Sequence, residues 1–230
     1  RGKHAGKELD EIRGSLFPAG EFKPVLLEEA ASAADMAAAA QVLAFAGSPI
    51  GSAFLKASRR YQTDRDLYAL ELALDKAYYK AVLKRADEAG APADFTRHLQ
   101  REVDATNLLT ALKLRGRGVD HELFVPGGKE ISRAQFDAIM LDTEGGALQA
   151  LSGGSFAGVV GTTDLSAAEG VVRQVLDASA KRLAADPLDI GVVVDFLRRK
   201  EAEAAKVRLV ARGKFYGVPR ATLEKELPHA

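Results

Sequence analysis

Apolar residues recur every three or four positions over long segments of this sequence, which is the spacing of one face of an α-helix. The clearest example, within residues 63–90, is the stripe Leu67, Leu70, Leu74, Tyr78 and Val82. A second stripe, within residues 94–115, consists of Phe95, Leu99, Val103, Thr106 and Leu109. No segment alternates apolar and polar residues for long enough to predict a strand. The sequence therefore predicts an all-α fold.

Turn and capping residues indicate where further helices begin and end. The remaining predicted helices cover residues 24–46 with a break at 32–35, 132–142, 166–184, 191–212 and 219–227. The residues assigned as helix caps are Ser32, Thr63, Asp94, Ser132 and Ser166. The glycine-rich residues 145–163 are expected to hold only a short helical piece around Leu148.

Two segments of the chain, residues 95–116 and 194–213, resemble each other. When Glu102 is aligned with Glu201, both segments end in a basic residue followed by glycine. Residues 1–20 resemble the residues that follow the first of these helices. The sequence therefore predicts an array of helical repeats: residues 1–23 end a truncated first repeat, 24–130 form the second and 131–230 the third.

Composition argues against several classes of protein. The 32 basic and 32 acidic residues balance, whereas a nucleic-acid-binding protein usually carries a basic excess or stripe. The absence of cysteine excludes disulfides, cysteine-ligated zinc and thiol catalysis. No apolar run approaches the roughly 18 residues that a bilayer-spanning helix needs, so we expect a soluble chain.

Motifs for catalysis or cofactor binding are also missing. The stretch from Gly153 to Gly158 is not followed by the lysine and hydroxyl residue of a phosphate-binding loop. The four histidines form no pair at helical metal-ligand spacing, and His98 is expected to be a partly exposed residue on a helix surface. We therefore predict no catalytic, cofactor-binding or metal-binding residue.

Acidic residues of the 94–115 helix are expected to act in packing. Glu102 and Asp104 are two residues apart and point in different directions, so they do not form an acid–base pair. Glu102 is expected to contact a partner helix, and Asp104 and Asn107 to share a polar contact. A buried carboxylate here would need a partner, such as an Arg or Tyr of the 63–90 helix.

Three segments together resemble the C-subunit family of the V-type or A-type rotary ATPases, which is related to the d component of the eukaryotic enzymes. They are residues 70–79, 102–115 and 200–219, and their order and spacing extend the resemblance over essentially the whole chain. Lys206 departs from the family, which often carries Asn at that position.

The resemblance implies similar helical domains arranged as a funnel-like adaptor of the central stalk. This adaptor would sit on the membrane proteolipid ring, receive the shaft formed by the D and F components, and transmit torque without being an enzyme. It would bind no nucleotide, cofactor, nucleic acid or small-molecule substrate, and would lie peripherally on the cytoplasmic face of the membrane. The alternative is a soluble helical-repeat scaffold that binds proteins and is unrelated to a rotary motor.

Basic residues at the ends of the repeat helices are the candidate partner contacts. They are Arg1, Lys3, Lys113, Arg115, Arg117, Arg212 and Lys214. The competing interpretation is that lysine and arginine at these positions only complement the helix dipole.

Overall fold

The protein was analysed as a computed structural model, which describes residues 1–17, 20–162 and 164–227. These residues contain helices and no strand, which confirms the all-α prediction. The α-helices in chain order are α1 (Leu9–Gly14), α2 (Pro24–Ser32), α3 (Met36–Ala44), α4 (Pro49–Asp64), α5 (Leu67–Glu88), α6 (Ala93–Lys113), α7 (Arg133–Leu141), α8 (Leu165–Leu183), α9 (Gly191–Phe215) and α10 (Arg220–Glu226). Turns of 3₁₀ helix cover His121–Leu123, Gly146–Leu151 and Ala157–Val159. None of the helices in the described ranges has both the length and the apolar composition that crossing a bilayer requires.

The chain divides into two compact units, Arg1–Arg85 and Ala86–Ala230. Helices α1 to α4 belong to the first unit and α6 to α10 to the second, while α5 begins in the first unit and ends in the second. The division into three helical repeats with bounds at residues 23 and 130 stays a prediction.

Small residues bring the helices of the first unit close together. The buried apolar positions of α2 and α3 are alanines, among them Ala31 and Ala40, and α4 packs on α3. A Cβ atom added to Gly51 would lie 2.2 Å from the carbonyl oxygen of Leu43. Only glycine therefore allows the start of α4 to approach the end of α3 this closely.

The predicted start of the 63–90 helix is wrong, because the prediction missed α4. Thr63 lies in the last turn of α4, and the chain turns at Arg65, which adopts the left-handed conformation with φ of 57°. The side chain of Asp66 then accepts a hydrogen bond from the backbone N–H of Ala69 at 3.0 Å and caps α5. Only a short break separates α4 from α5, and both helices are amphipathic. The helical periodicity of the sequence therefore does not show where one helix ends and the next begins.

Other predicted caps had mixed outcomes. Ser132 is the cap of α7, as predicted, and it forms a capping box with Gln135. The predicted break in residues 32–35 is confirmed, but Asp35, not Ser32, caps the following helix. Asp164, not Ser166, caps α8. An N-cap residue needs an extended backbone and a side-chain oxygen within reach of the N–H two or three residues further on. The residue types alone do not show which of several neighbouring Ser, Thr or Asp residues meets both conditions.

Asp94 was also wrongly assigned as a cap. Helix α6 begins after Pro92, which is its N-cap residue and makes no side-chain cap hydrogen bond. Asp94 lies inside the first turn, where its negative charge still complements the helix dipole.

Helix α6 is the central helix of the second unit and packs on α7 and α8. Leu99 and Val103 of the predicted stripe are buried, whereas Phe95, Thr106 and Leu109 are half-buried. The largest fully buried side chains around α6 include Phe136, Ile139, Met140, Phe156 and Val159. The predicted short piece around Leu148 is the 3₁₀ segment Gly146–Leu151, whose Leu148 and Leu151 are buried.

Gly51→Ala tests the close approach of α3 and α4. The added methyl group would collide with backbone that cannot rotate away, so we expect the free energy of unfolding to fall by about 1–3 kcal/mol. Chemical denaturation measures the loss. Gly14→Ala is the matched control, because a Cβ at Gly14 meets nothing within 4 Å; equal stability of the two variants would contradict the packing described.

Candidate interaction surface

The loop that follows α6 is held by a side chain of that helix. The Asn107 side chain donates to the carbonyl oxygen of Val125 at 2.8 Å and accepts from the backbone N–H of Val125 at 2.8 Å. Asn107 is fully buried, so these bonds satisfy polar groups that water does not reach. They hold the middle of the loop against α6.

Asp104 binds the next part of the same loop. Its carboxylate is fully buried and accepts hydrogen bonds from the backbone N–H groups of Lys129, Glu130 and Ile131, each at 2.9 Å. Burial raises the pKa of Asp104, and the three N–H groups act in the opposite direction. Three backbone N–H groups of the loop are therefore partners of the buried carboxylate. The expected partner on the 63–90 helix stays a prediction. Asp104 and Asn107 bind the same loop at separate points.

Glu102 makes the predicted contact with another helix. Its carboxylate lies 3.6 Å from the guanidinium of Arg198 on α9. Arg198 also bonds Asp177 of α8 at 3.0 Å. Because all three side chains are charged and partly shielded, this cluster ties the first half of α9 to α6 and α8.

A buried polar network runs between α6, α8 and the glycine-rich segment. His98 is 2% exposed, with its Nδ1 3.0 Å from the hydroxyl of Ser179. Arg101 donates to the hydroxyls of Ser179 at 3.1 Å and Ser155 at 3.3 Å. Ser155 donates its N–H and its hydroxyl to Glu130 at 2.7 and 2.6 Å. The prediction that His98 is partly exposed is therefore wrong, because its helix face meets α8.

Ser179, His98 and Glu102 have the residue types of a hydrolytic triad, so their geometry was compared with one. His98 Nε2 is 3.6 Å from Glu102, too long for a hydrogen bond. The Ser179 side chain is buried on α8, where no substrate carbonyl could approach it. The cluster therefore acts in packing. No group of three metal-ligating side chains occurs in the described part of the chain.

The predicted contact residues of the first unit bind within that unit. Arg1 forms an ion pair with Glu71 of α5, which lowers the pKa of Glu71 through a side-chain hydrogen bond. Lys3 donates to the carbonyl oxygens of Ala31, at 2.7 Å, and Ala33. These carbonyls lie at the end of α2, so Lys3 satisfies the free acceptors of a helix terminus.

At the end of α6, the three predicted basic residues have different surroundings. Lys113 pairs with Glu169 of α8 at 2.7 Å. Arg115 is half-buried, and its Nε and Nη2 are buried without a hydrogen-bond partner in the described chain. Arg117 is exposed and forms no ion pair with any described residue. Of these three, Arg117 has the side chain most available to a partner.

Arg115 lies near a carboxylate that orders the turn after α7. Asp142 accepts from the backbone N–H groups of Ala147, Glu144 and Gly145. These bonds, the one from Ala147 foremost, lower the pKa of Asp142, and the charge of Arg115 adds to the effect. The end of α6 is joined to the same region, because the Gly116 N–H donates to the Met140 carbonyl oxygen at 2.8 Å.

Arg212 and Lys214 are exposed near the end of α9 and form no ion pair within the described ranges. They share this helix with a set of exposed apolar side chains that the sequence analysis did not single out. The most exposed members of this set are Val193, Phe196, Leu197, Val207 and Phe215. The signal available in the sequence was that these apolar residues lie on the side of α9 opposite Gly191 and Gly213.

Comparison with known proteins places these features in a family. The family model for the ATP synthase (C/AC39) subunit matches residues 1–226. The C subunits of the V-type ATP synthases of Deinococcus radiodurans and Thermus thermophilus are 34% and 36% identical to this chain over 99% of its length. The C subunit of the A-type ATP synthase of Haloferax volcanii is 26% identical over 99% of the chain. The chain spans 62% of the Deinococcus protein and 68% of the other two.

Asp104→Asn tests the carboxylate that holds the loop. The amide of the new Asn has one acceptor oxygen, and its NH₂ group would face the backbone N–H donors of the loop. Some of these N–H groups would therefore lose their hydrogen-bond partner. We expect the free energy of unfolding to fall by about 2–4 kcal/mol, measured by denaturant titration. Asp94→Asn on the exposed start of the same helix is the control, with an expected loss under about 1 kcal/mol; similar losses would show that the loop is held by other contacts.

Asp142→Asn should change the response of the protein to acid. The folded pKa of Asp142 lies below its ordinary 3.8, so its stabilisation is present above pH 3.8 and is lost as the pH falls through the lowered value. The variant should melt below the native protein at pH 7, and this difference should shrink as thermal melts are repeated toward pH 3. A difference that stays constant with pH would contradict the assigned carboxylate.

Proposed function

This chain belongs to the ATP synthase (C/AC39) subunit family, and from that premise we propose that it is a non-catalytic rotor adaptor in the central stalk of a V-type or A-type rotary ATPase. The observation that carries the proposal is the family match over residues 1–226. The adaptor would link the D–F shaft to the membrane proteolipid ring. It would transmit torque for proton-coupled ATP synthesis or hydrolysis.

The internal construction of the second unit suits a part that transmits torque. Long helices held by buried hydrogen bonds deform little, because each displacement would leave polar groups without partners. The partly exposed ion pairs of Glu102, Arg198 and Asp177 join α6, α9 and α8 as well. A stiff linker needs no reaction centre, which agrees with the packing role of the His98 cluster.

The proposed position is peripheral, on the cytoplasmic face of the membrane, where the adaptor contacts the ring through its surface. The alternative of a scaffold unrelated to a rotary motor has no specific observation in its favour. A scaffold would use the same exposed helix faces, but the family relationship directs the proposal to the rotary complex.

All seven predicted basic residues remain candidate contacts, and their surroundings rank them. Arg1, Lys3 and Lys113 already bind acceptors within their own unit, and moving them to a partner would leave those acceptors unpaired. Arg117, Arg212 and Lys214 are exposed and would bring no such loss. We propose these three as the main basic contacts.

Reversing these three charges tests the adaptor role. The Arg117→Glu/Arg212→Glu/Lys214→Glu variant should bind the purified D–F pair or the detergent-solubilised ring at least about 10-fold more weakly, because each new carboxylate repels a surface complementary to the native cation. Titration of immobilised partner with the intact protein gives both affinities. The circular dichroism melt should stay unchanged.

A control with the same change in net charge is Lys56→Glu/Arg59→Glu/Lys181→Glu, which alters exposed basic residues of α4 and α8. This control should bind like the native protein. Failure of the native protein to bind either partner would overturn the adaptor function itself. Native-like binding by the first variant would remove its three residues from the interface.

A further inference from the structure

Helix α9 presents a long face that no described part of the chain covers. The helix has 25 residues and is therefore about 37 Å long, yet its only buried residues are Gly191, Asp195 and Gly213. These lie on the side that packs on α8 and α10. On the other side, Val207 is 63% and Phe215 83% exposed.

The exposed face has the spacing of a helix–helix seam. Its positions follow a four-three repeat, which keeps one stripe of a helix facing a partner helix. The exposed apolar residues at these positions are Val193, Leu197, Ala204, Val207 and Ala211. The two alanines are seven residues apart and leave room for the side chains of an approaching helix.

Lysines occupy two of the seam positions. Lys200 and Lys214 alternate with Val193 and Val207 in a series whose members are seven residues apart. Lys200 pairs with Glu203 at 2.7 Å, whereas Lys214 has no ion pair in the described chain. A partner that covers this seam must therefore supply negative charge, because an uncompensated buried ammonium group is strongly unfavourable.

All the charged residues in the second half of α9 are basic. No acidic residue occurs in residues 204–223. Three further exposed cations flank the seam here, and none of them forms an ion pair within the described ranges: Lys206, Arg208 and Arg212. The face is thus an apolar stripe bordered by uncompensated positive charge.

We propose that this face of α9, called here the α9 seam, binds an amphipathic α-helix whose apolar stripe is bordered by Asp and Glu. The proposal rests on the proposed adaptor function. In that complex, the acidic helix would belong to the D–F shaft. A membrane surface fits the seam less well. A helix that lies in the membrane plane buries its apolar stripe among lipid chains, and here that stripe would take Lys200 and Lys214 into the lipid. An acidic helix would neutralise Lys214, the seam lysine that has no ion pair within the described residues.

The apolar part of the seam is tested by Val207→Asp/Ala211→Asp in the intact protein. Both residues are exposed, so the circular dichroism spectrum and melting temperature should stay native. Affinity for the purified D–F pair should fall at least about 10-fold, because the new carboxylates replace apolar contacts and repel the acidic border of the docking helix, while affinity for the solubilised ring stays unchanged. The matched control Val25→Asp/Leu141→Asp changes exposed apolar residues on α2 and α7 and should bind the D–F pair normally.

The charged part of the seam is tested by Lys200→Glu/Lys214→Glu against Lys56→Glu/Arg59→Glu on α4, which has the same net charge. Only the seam variant should lose affinity for the D–F pair. Binding of the native protein should also weaken as salt rises from about 50 to about 500 mM, because flanking charges are screened.

Three results would overturn the proposal. If both seam variants bind the D–F pair like the native protein, the seam is not the docking site, although the adaptor function stands. If the native protein itself does not bind the D–F pair, the shaft-binding part of the proposed function fails together with the seam. If the native protein binds phosphatidylglycerol vesicles and the seam variants lose only that binding, the face belongs to a membrane surface.

Discussion

The buried carboxylate of Asp104 is the interaction on which the second unit depends. Three backbone N–H groups converge on its two oxygens, and the loop approaches so closely that a Cβ at Gly128 would lie 2.0 Å from Oδ1. A buried carboxylate is tolerated only where it is fully hydrogen-bonded. The loop sequence is thus fitted to one side chain of α6, through a glycine that permits contact and three successive donors.

The consequences extend outward from this loop. Glu130, fixed by its N–H bond to Asp104, in turn accepts from Ser155 and so holds the glycine-rich segment. Arg101 then joins Ser155 to Ser179 of α8. Each hydrogen bond positions the side chain that makes the next hydrogen bond. The network therefore orders the glycine-rich segment.

Helix α9 is anchored at a few points and exposed along much of its length. Its first half is held by Arg198 in the cluster with Glu102 and Asp177, and its last buried residue, Gly213, meets Leu223 of α10. Between these points, Ala204, Val207 and Ala211 remain exposed. Contiguous exposed apolar surface bordered by charge is characteristic of protein interfaces, which is why the α9 seam carries the inference about a partner helix.

The sequence by itself determined the all-α class, most of the longer helices and the family, because periodicity and capping patterns are local; it did not reveal α1 or α4. The stripe of α6, the cap at Ser132 and the family resemblance of residues 70–79 and 102–115 needed no knowledge of contacts. Only the tertiary structure decided that the chain turns at Arg65, that His98 is buried, and that Asp104 binds backbone N–H groups of the following loop. It also separated Lys113, which is paired, from Arg117, which is not. These outcomes depend on which distant segments meet a given helix face, and a one-dimensional pattern does not contain that information.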